Sequence, residues 1–296
     1  MTTEDRYRWM EEETTHAKEK WAKTLGVSRS GYYAWKASKE GRLEAGRAYE
    51  ARVLRAYAEG EGHYGAERIC GVIRSWGYPA SFKVVQGIMR ANDLVSSHCR
   101  RRQRSLTDSR KARGNEYENR VLNLDIDRPF QVLSSDITYV RTGEGFDYLC
   151  QIRDVLTGVV LASHQQERMT KDLVLTTIRK VQARWRCPAG TLFHSDRGSQ
   201  YTAKEVRALL ASYGWLASYS RVGKPSDNAW SESFFANMKK EIVHWRHFPT
   251  REMARQVIFE YIETYYNNRR AQKHLGYQSP LDFLKSWEQQ YQTCVA

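Results

Sequence analysis

Three acidic residues, Asp136, Asp196 and Glu232, each stand where a carboxylate serving metal-assisted phosphoryl transfer would be needed. A phosphodiester repels its nucleophile by its own negative charge, and in-line displacement adds charge to the attacking and leaving oxygens. Two divalent ions about 3.5–4 Å apart stabilise both. Mg²⁺ takes hard oxygen ligands, keeps several waters and is held by few carboxylates plus substrate phosphate, so three acids suffice for two ions. Mn²⁺ accepts the same oxygen donors and is expected to substitute.

The elements that must position these acids are visible around them. Asp136 lies inside QVLSSDITYV, a β-branched apolar run that predicts a buried strand, and Asp196 ends TLFHSD, a second such run entering the polar turn RGSQ. Glu232 sits in SDNAWSESFFANMKKEIVH, which predicts a helix capped near Ser226 or Asp227. About 35 residues separate Asp196 from Glu232, room for a helix (AKEVRALLASYG), a strand (WLASYS) and the turn RVGKPSDN. Upstream, QVLSSDITYV, FDYLCQIRDV and VVLASHQQE predict an antiparallel meander, followed by the amphipathic helix KDLVLTTIRKVQARW. The expected fold class is α/β: a ribonuclease H-like mixed sheet with helices on both sides, in which the strand of Asp136 neighbours that of Asp196.

Helical phase separates Glu232 from the packed face. At about 100° per residue, Phe234, Met238, Ile242 and Trp245 fall in a stripe about 80° wide; Glu232 lies about 120° from its centre and Lys239 about 20° from Glu232. Lys239 is therefore expected to reach a DNA phosphate from the acid's own side. Asn228, one turn before Glu232, either caps the helix or orients the carboxylate. Two further residues have structural readings: Asp154 in RDVLTG fits a turn or bulge, and His194 fits a hydrogen-bonded core position as well as one near the metals.

The flanking words, in this order and spacing, resemble those of the second-frame protein of IS3-type insertion sequences, DDE transposases of the retroviral-integrase superfamily. They are LGVSRSGYYAW (25–35), HYGAERI (63–69), SDITYV (135–140), HSDRGSQY (194–201), SDNAWSESFFANMKKE (226–241) and YYNNRR with LGYQSP (265–280). Where such proteins often carry a His shortly after YNNRR, this chain has Ala271 and Gln272. The resemblance implies a retroviral-integrase-like core with Asp136, Asp196 and Glu232 as catalytic and metal-holding residues: Asp136 bridging two Mg²⁺, Asp196 holding one and Glu232 the other. It further implies cutting of double-stranded DNA at the element's ends, attack of the freed 3′-hydroxyl on target DNA, a first-frame partner protein or fusion, and a homodimer or higher assembly on DNA. Two other classes share the acids or the charge: a nuclease that hydrolyses without joining, and a non-catalytic DNA-binding protein derived from a transposase.

Composition agrees with a nucleic-acid partner. Lys and Arg outnumber Asp and Glu by 47 to 34, giving a formal charge of +13 and a pI near 9.5. No stretch approaches a membrane span and the N-terminus is too charged for a signal peptide, so a cytoplasmic protein is expected. Cys70, Cys99, Cys150, Cys187 and Cys294 are odd in number and scattered, which argues against a disulfide framework or a Cys-based zinc site. His244 and His247 have a zinc-compatible spacing but no accompanying Cys pair.

Five segments are expected. Residues 1–47 form a helical segment in which Ser28 caps a helix carrying Tyr32, Tyr33 and Trp35, either as a helix-turn-helix or as a plain hairpin with an aromatic core. Residues 48–97 predict a small helical, helix-turn-helix-like DNA-binding domain, whose last helix presents Lys83, Gln86 and Arg90 to DNA after the cap Ser81. Residues 98–125 are a basic linker carrying Arg100, Arg101, Arg102, Arg104, Arg110, Lys111 and Arg113, suited to lying along phosphates. Residues 126–245 form the catalytic core. Residues 246–296 form a C-terminal helical extension, begun by the cap Thr250 and bearing Arg269, Arg270 and Lys273, which either hold DNA or favour a helix dipole.

Overall fold

The computed structural model describes residues 1–99, 117–221 and 225–295. The chain divides into two compact units, Met1–Ala56 and Tyr57–Ala296. The basic residues Arg100, Arg101, Arg102, Arg104, Arg110, Lys111 and Arg113 lie outside the described residues.

In the first unit, α1 (Thr3–Glu12) opens on a capping box between Thr2 and Asp5. Helix α2 (Lys18–Leu25) stops at Gly26, whose φ of +62° is the left-handed conformation that glycine adopts without strain. After Val27, Ser28 accepts the Gly31 N–H and starts α3 (Arg29–Ala37). A short turn thus joins the two helices. The aromatic residues divide: Tyr32 is buried with Met10 and Ala22, Trp35 packs partly against them, and Tyr33 is exposed. Helix α4 runs unbroken over Lys39–Glu59, so the boundary expected between residues 47 and 48 falls inside a helix; Gly41 and Gly46 are its weakest positions, and neither ends it.

In the second unit, α5 (Ala66–Ser75) and α6 (Phe82–Ala91) pack on each other, and α5 with the segment before it meets the C-terminal extension. The Tyr64 hydroxyl accepts the Ala271 N–H, the Tyr265 hydroxyl donates to the Gly60 carbonyl, and Gly71 leaves room for the Tyr277 ring, which any Cβ there would strike.

The sheet comprises β1 (Val132–Thr142), β2 (Gly145–Asp154), β3 (Val160–Gln166), β4 (Leu192–Ser195) and β5 (Leu216–Tyr219) in the order β3-β2-β1-β4-β5. The first three form the expected antiparallel meander, and β4 and β5 add parallel to β1. Helices α7 (Lys171–Trp185), α8 (Ser199–Thr202) and α9 (Lys204–Ser212) belong to one side. Leu133, Cys150, Ile152 and Phe193 meet Leu173, Val174, Ile178, Tyr201 and Val206 there. On the other side Val140, Leu149 and Val160 meet Phe234 and Met238 of α10 (Ala229–Met238) and Ala254 and Ile258 of α11 (Arg251–Glu260). Helix α12 (Pro280–Val295) follows. This is the ribonuclease H-like mixed sheet.

Helices α10 and α11 each continue into a π-helical turn, Lys239–Val243 and Tyr261–Tyr266. A π turn widens the helix and shifts the phase of everything after it. That is why Phe234, Met238 and Ile242 are buried as the stripe predicts while Trp245 is 41% exposed. Thr250 caps α11 by accepting the Met253 N–H.

Candidate functional site

Asp136 and Asp196 are brought level by strand register. Parallel pairing of β1 with β4 matches Val132 to Leu192, Leu133 to Phe193 and Ser134 to His194. Each aspartate stands two residues beyond the last matched pair, and because side chains alternate, both point to the face that Ser134 and His194 share. Asp136 is half-buried within β1, its Oδ1 accepting the Ile137 N–H at 2.8 Å. Asp196 lies just past β4, exposed, its Oδ1 accepting the Gly198 N–H at 2.9 Å. A Cβ at Gly198 would sit 2.9 Å from that oxygen, so any larger residue there would push the Asp196 carboxylate from its place. Glu232 is exposed in the first turn of α10.

The electrostatics tie the three together. Burial pushes the Asp136 carboxyl up to about 7, and the negative charges of Asp196 and then Glu232 add to that rise; the Ile137 N–H and Lys239 oppose it. Asp196 and Glu232, although exposed at the surface, are also raised, both chiefly because surrounding protein displaces water from their carboxyls. Among the described residues, no three His, Cys, Asp or Glu side chains lie close enough together to grip one ion. A pair of ions sharing Asp136 asks for two carboxylates at each, with water and substrate oxygens completing the shell.

Lys239 directly follows the last α-helical residue of α10 and opens the π turn with α-helical backbone angles, so it keeps its phase with Glu232. Its Nζ lies 5.1 Å from the centre of the Tyr139 ring, and burial lowers its pKa while Asp136 raises it. Lys83, Gln86 and Arg90 are all exposed on α6, beside the exposed apolar side chains Phe82 and Val84. Ser81 occupies the residue before α6 but makes no capping bond to it.

Three local expectations change. The helix of Glu232 begins at Ala229 with Asn228 rather than Asp227 at its N-cap position, and the side chain of Ser226 lies outside the described residues. Asp227 is instead held by the Arg221 guanidinium and backbone N–H and by Asn119, which keep its carboxyl far below the usual range. Asn228 stands at the N-cap position with no capping bond; its Nδ2 donates across to the Ser135 carbonyl of β1, and its Oδ1 is buried without a partner among the described residues. Arg270 does not face DNA: it is fully buried against Glu241, while Arg269 pairs with Glu61 and Lys273 with Glu67.

His194 and Asp154 are structural. His194 is buried with its two ring nitrogens against the hydroxyls of Ser218 and Ser220, and Asp154 accepts the N–H groups of Phe130 and Thr157 and the Thr157 hydroxyl. Cys70, Cys150 and Cys187 are buried free thiols; the side chains of Cys99 and Cys294 lie outside the described residues.

Sequence reading missed what lies beneath Glu232: Ser134, Gln151 and Ser231, all fully buried. The signal was present, since Ser231 falls in the stripe of Phe234, Met238 and Ile242, and Gln151 interrupts a strand otherwise buried on both faces.

Two Integrase core domain profiles match the chain, one at residues 126–225 and the other at 232–286. Transposase InsF for insertion sequence IS3A of Escherichia coli (strain K12) is 32% identical over 267 residues, 88% of this chain and 91% of that protein. The transposase for insertion sequence element IS904 of Lactococcus lactis subsp. lactis (strain IL1403) is 34% identical over 239 residues, 79% of this chain and 92% of that protein. Among solved structures, the catalytic core domain of BIV integrase aligns with a TM-score of 0.39 and 18% identity, covering 54% of this chain and 98% of that one. No helix among the described residues is long and apolar enough to cross a membrane. With nearly the full length of such relatives matched and both integrase core profiles present, the chain belongs to the IS3 family of insertion-sequence transposases, built on an integrase core.

Proposed function

We propose that Asp136, Asp196 and Glu232 are the catalytic and metal-holding residues of a polynucleotidyl transferase that cuts double-stranded DNA at its element's ends and joins those ends to target DNA. The observation that carries this reading is the level placement of Asp136 and Asp196 on adjacent parallel strands, with the charge of Glu232 felt at Asp136 from a helix on the same face. The donor set fits Mg²⁺, or Mn²⁺ in its place: it is all carboxylate oxygen, and crowded negative charge raises the proton affinity of Asp136 in a way that a cation would reverse.

Asp136 would serve both ions, Asp196 one and Glu232 the other. Once bound, such a pair neutralises the charge that develops on the attacking and leaving oxygens. Everything else falls to side chains of this chain. Glu232 brings its carboxylate from the rim, where substrate enters, and Asp136 anchors the set from within the sheet. Lys239, beside Tyr139 and on the acid's side of its helix, is placed to hold a phosphate and set the strand in line. Lys83, Gln86 and Arg90 offer a second contact on α6, where phosphate contact is sequence-independent and base contact would specify an end.

The test is strand transfer of a labelled end duplex into target DNA with Mg²⁺ or Mn²⁺. Joined product from the native chain and none from Glu232→Gln is the expected result. Hydrolysis without joining would identify a nuclease, and joining by Glu232→Gln would overturn the assignment.

A further inference from the structure

The sheet face beneath the first turn of α10 is polar although it is buried. Ser134 and Asp136 of β1 lie opposite Arg153 and Gln151 of β2, so all four side chains share that face. Ser134, Gln151 and Ser231 are fully buried, and Asn228 and Arg153 are 5% exposed. One turn further along α10 the same interface is made of Phe234, Phe235 and Met238 against Val140 and Leu149. Apolar packing was therefore available here, and a polar seam has to be explained by something other than burial energy.

Its bonds all run between the helix and the two strands. The Ser231 hydroxyl pairs with that of Ser134 and accepts from Gln151 Nε2 at 3.0 Å. Asn228 Nδ2 donates to the Ser135 carbonyl at 3.3 Å, and Arg153 Nη1 donates to the Trp230 carbonyl at 2.7 Å. Residues 228, 230 and 231 are thus each fastened to β1 or β2, and the next residue is Glu232. Asn228 makes its tether without a capping bond. A hydrogen bond fixes both distance and direction, whereas apolar contacts allow a helix to slide or roll.

We infer that Asn228 and Ser231, with Ser134 and Gln151 as their partners, are positioning residues that fix the height and rotation of α10 so that the Glu232 carboxylate meets Asp136. They touch no reacting atom. The inference rests on the catalytic assignment above and adds to it the part of the fold that makes the third carboxylate register with the other two.

An apolar seam tests it. Ser134→Ala, Gln151→Met and Ser231→Ala together remove the bonds without stranding a partner, so the melting temperature should hold. The rate constant for end cleavage should nonetheless fall about 10- to 100-fold, with DNA affinity unchanged, as a carboxylate displaced by the order of 1 Å would produce. The Mn²⁺ concentration giving half of the metal-induced rise in melting temperature should increase about 10-fold, a readout independent of turnover. Asn228→Asp is the second arm: it keeps the shape and the oxygens but loses the donor to Ser135, and should show the same two losses, while Asn228→Gln, keeping the amide, should restore part of them. Full cleavage and metal response in a stable triple variant, or in Asn228→Asp if the triple variant does not fold, would overturn the inference. Glu232→Gln, run alongside, separates the readings: if it cuts and joins, the catalytic assignment has failed; if it is inactive while the seam variants are fully active, only the positioning role has.

Discussion

Replacing Arg270 by Met should unfold the second unit far more easily than its distance from the acids would suggest. Arg270 and Glu241 are both completely buried side chains. The guanidinium donates to Glu241 through Nε at 3.0–3.1 Å and Nη2 at 2.6 Å, and Glu241 is also bonded to His98 and to the Tyr261 hydroxyl, each at 2.7 Å. Removing the arginine leaves a carboxylate in the interior with two weaker partners, which costs about 3–5 kcal/mol. For a unit of this size, 1 kcal/mol moves the midpoint by about 2–4 °C, so the melting temperature should fall by roughly 6–20 °C. The paired variant Glu241→Leu with Arg270→Met should recover at least half of that, because no charge is then stranded. Acid response supplies an independent check. Burial alone would lift the Glu241 carboxyl, but the charge of Arg270 and the bonds from His98 and Arg270 outweigh it and hold the group well below its usual 4.5. A depressed carboxyl contributes stability above its unfolded pKa and loses it as pH falls, so the native chain should weaken progressively below about pH 4.5 through this pair. Melting curves from pH 7 to pH 3 measure both effects. A loss under about 1 kcal/mol in Arg270→Met, or a double variant no more stable than the single, would refute the reasoning.

Further outcomes follow from the same structure. Asp136→Asn should abolish cleavage yet raise the metal-free melting temperature at pH 8, because burial and then the neighbouring charges raise the native Asp136 carboxyl to about 7, so the stability of its neutral form is lost as pH rises from 3.8 through 7; an unchanged melting temperature would count against this buried, charged setting. Asp196→Asn should lower the Asp136 pKa, readable by carboxyl NMR titration, since it removes a neighbouring negative charge. Lys239→Met should weaken end-DNA binding and reduce the salt-dependence slope by about 1, as loss of one phosphate contact requires; an unchanged slope would place Lys239 in a purely structural contact with Tyr139. Thr250→Ala should cost about 1 kcal/mol in thermal unfolding through the lost α11 cap, with end binding unaffected.

The sheet and the two strand acids were legible because their signals are local. QVLSSDITYV is a β-branched run with apolar residues of both parities, Leu133 packing on one side of the sheet and Val140 on the other as a buried strand must, and KDLVLTTIRKVQARW has the period of a helix with one packed face, which α7 occupies residue for residue. Glu232 was legible by phase, since a step of seven residues along an α-helix returns almost to the same side, and Lys239 stands before the widening of the π turn takes effect. Trp245 was misplaced because a π turn depends on a partner: Glu241 turns inward only where Arg270 and Tyr261 await it, and neither is near in sequence.

The same limit explains the capping errors around α10. Asp227 and Asn228 are good helix starters by type, so local chemistry favours a cap at either. Each found a stronger use elsewhere, Asp227 in the Arg221 fork and Asn228 on the carbonyl before Asp136, and a single isolated helix would have no reason to prefer these. What tertiary structure added was therefore not the acids but their common reference. Ser134 to Ser231 and Ser135 to Asn228 tie to β1 the helix that must hold its carboxylate level with two strand ends. Glu232 itself is exposed and, among the described residues, no hydrogen bond fixes it, so the accuracy of the proposed third ligand is inherited from its neighbours on the buried side of the same turn.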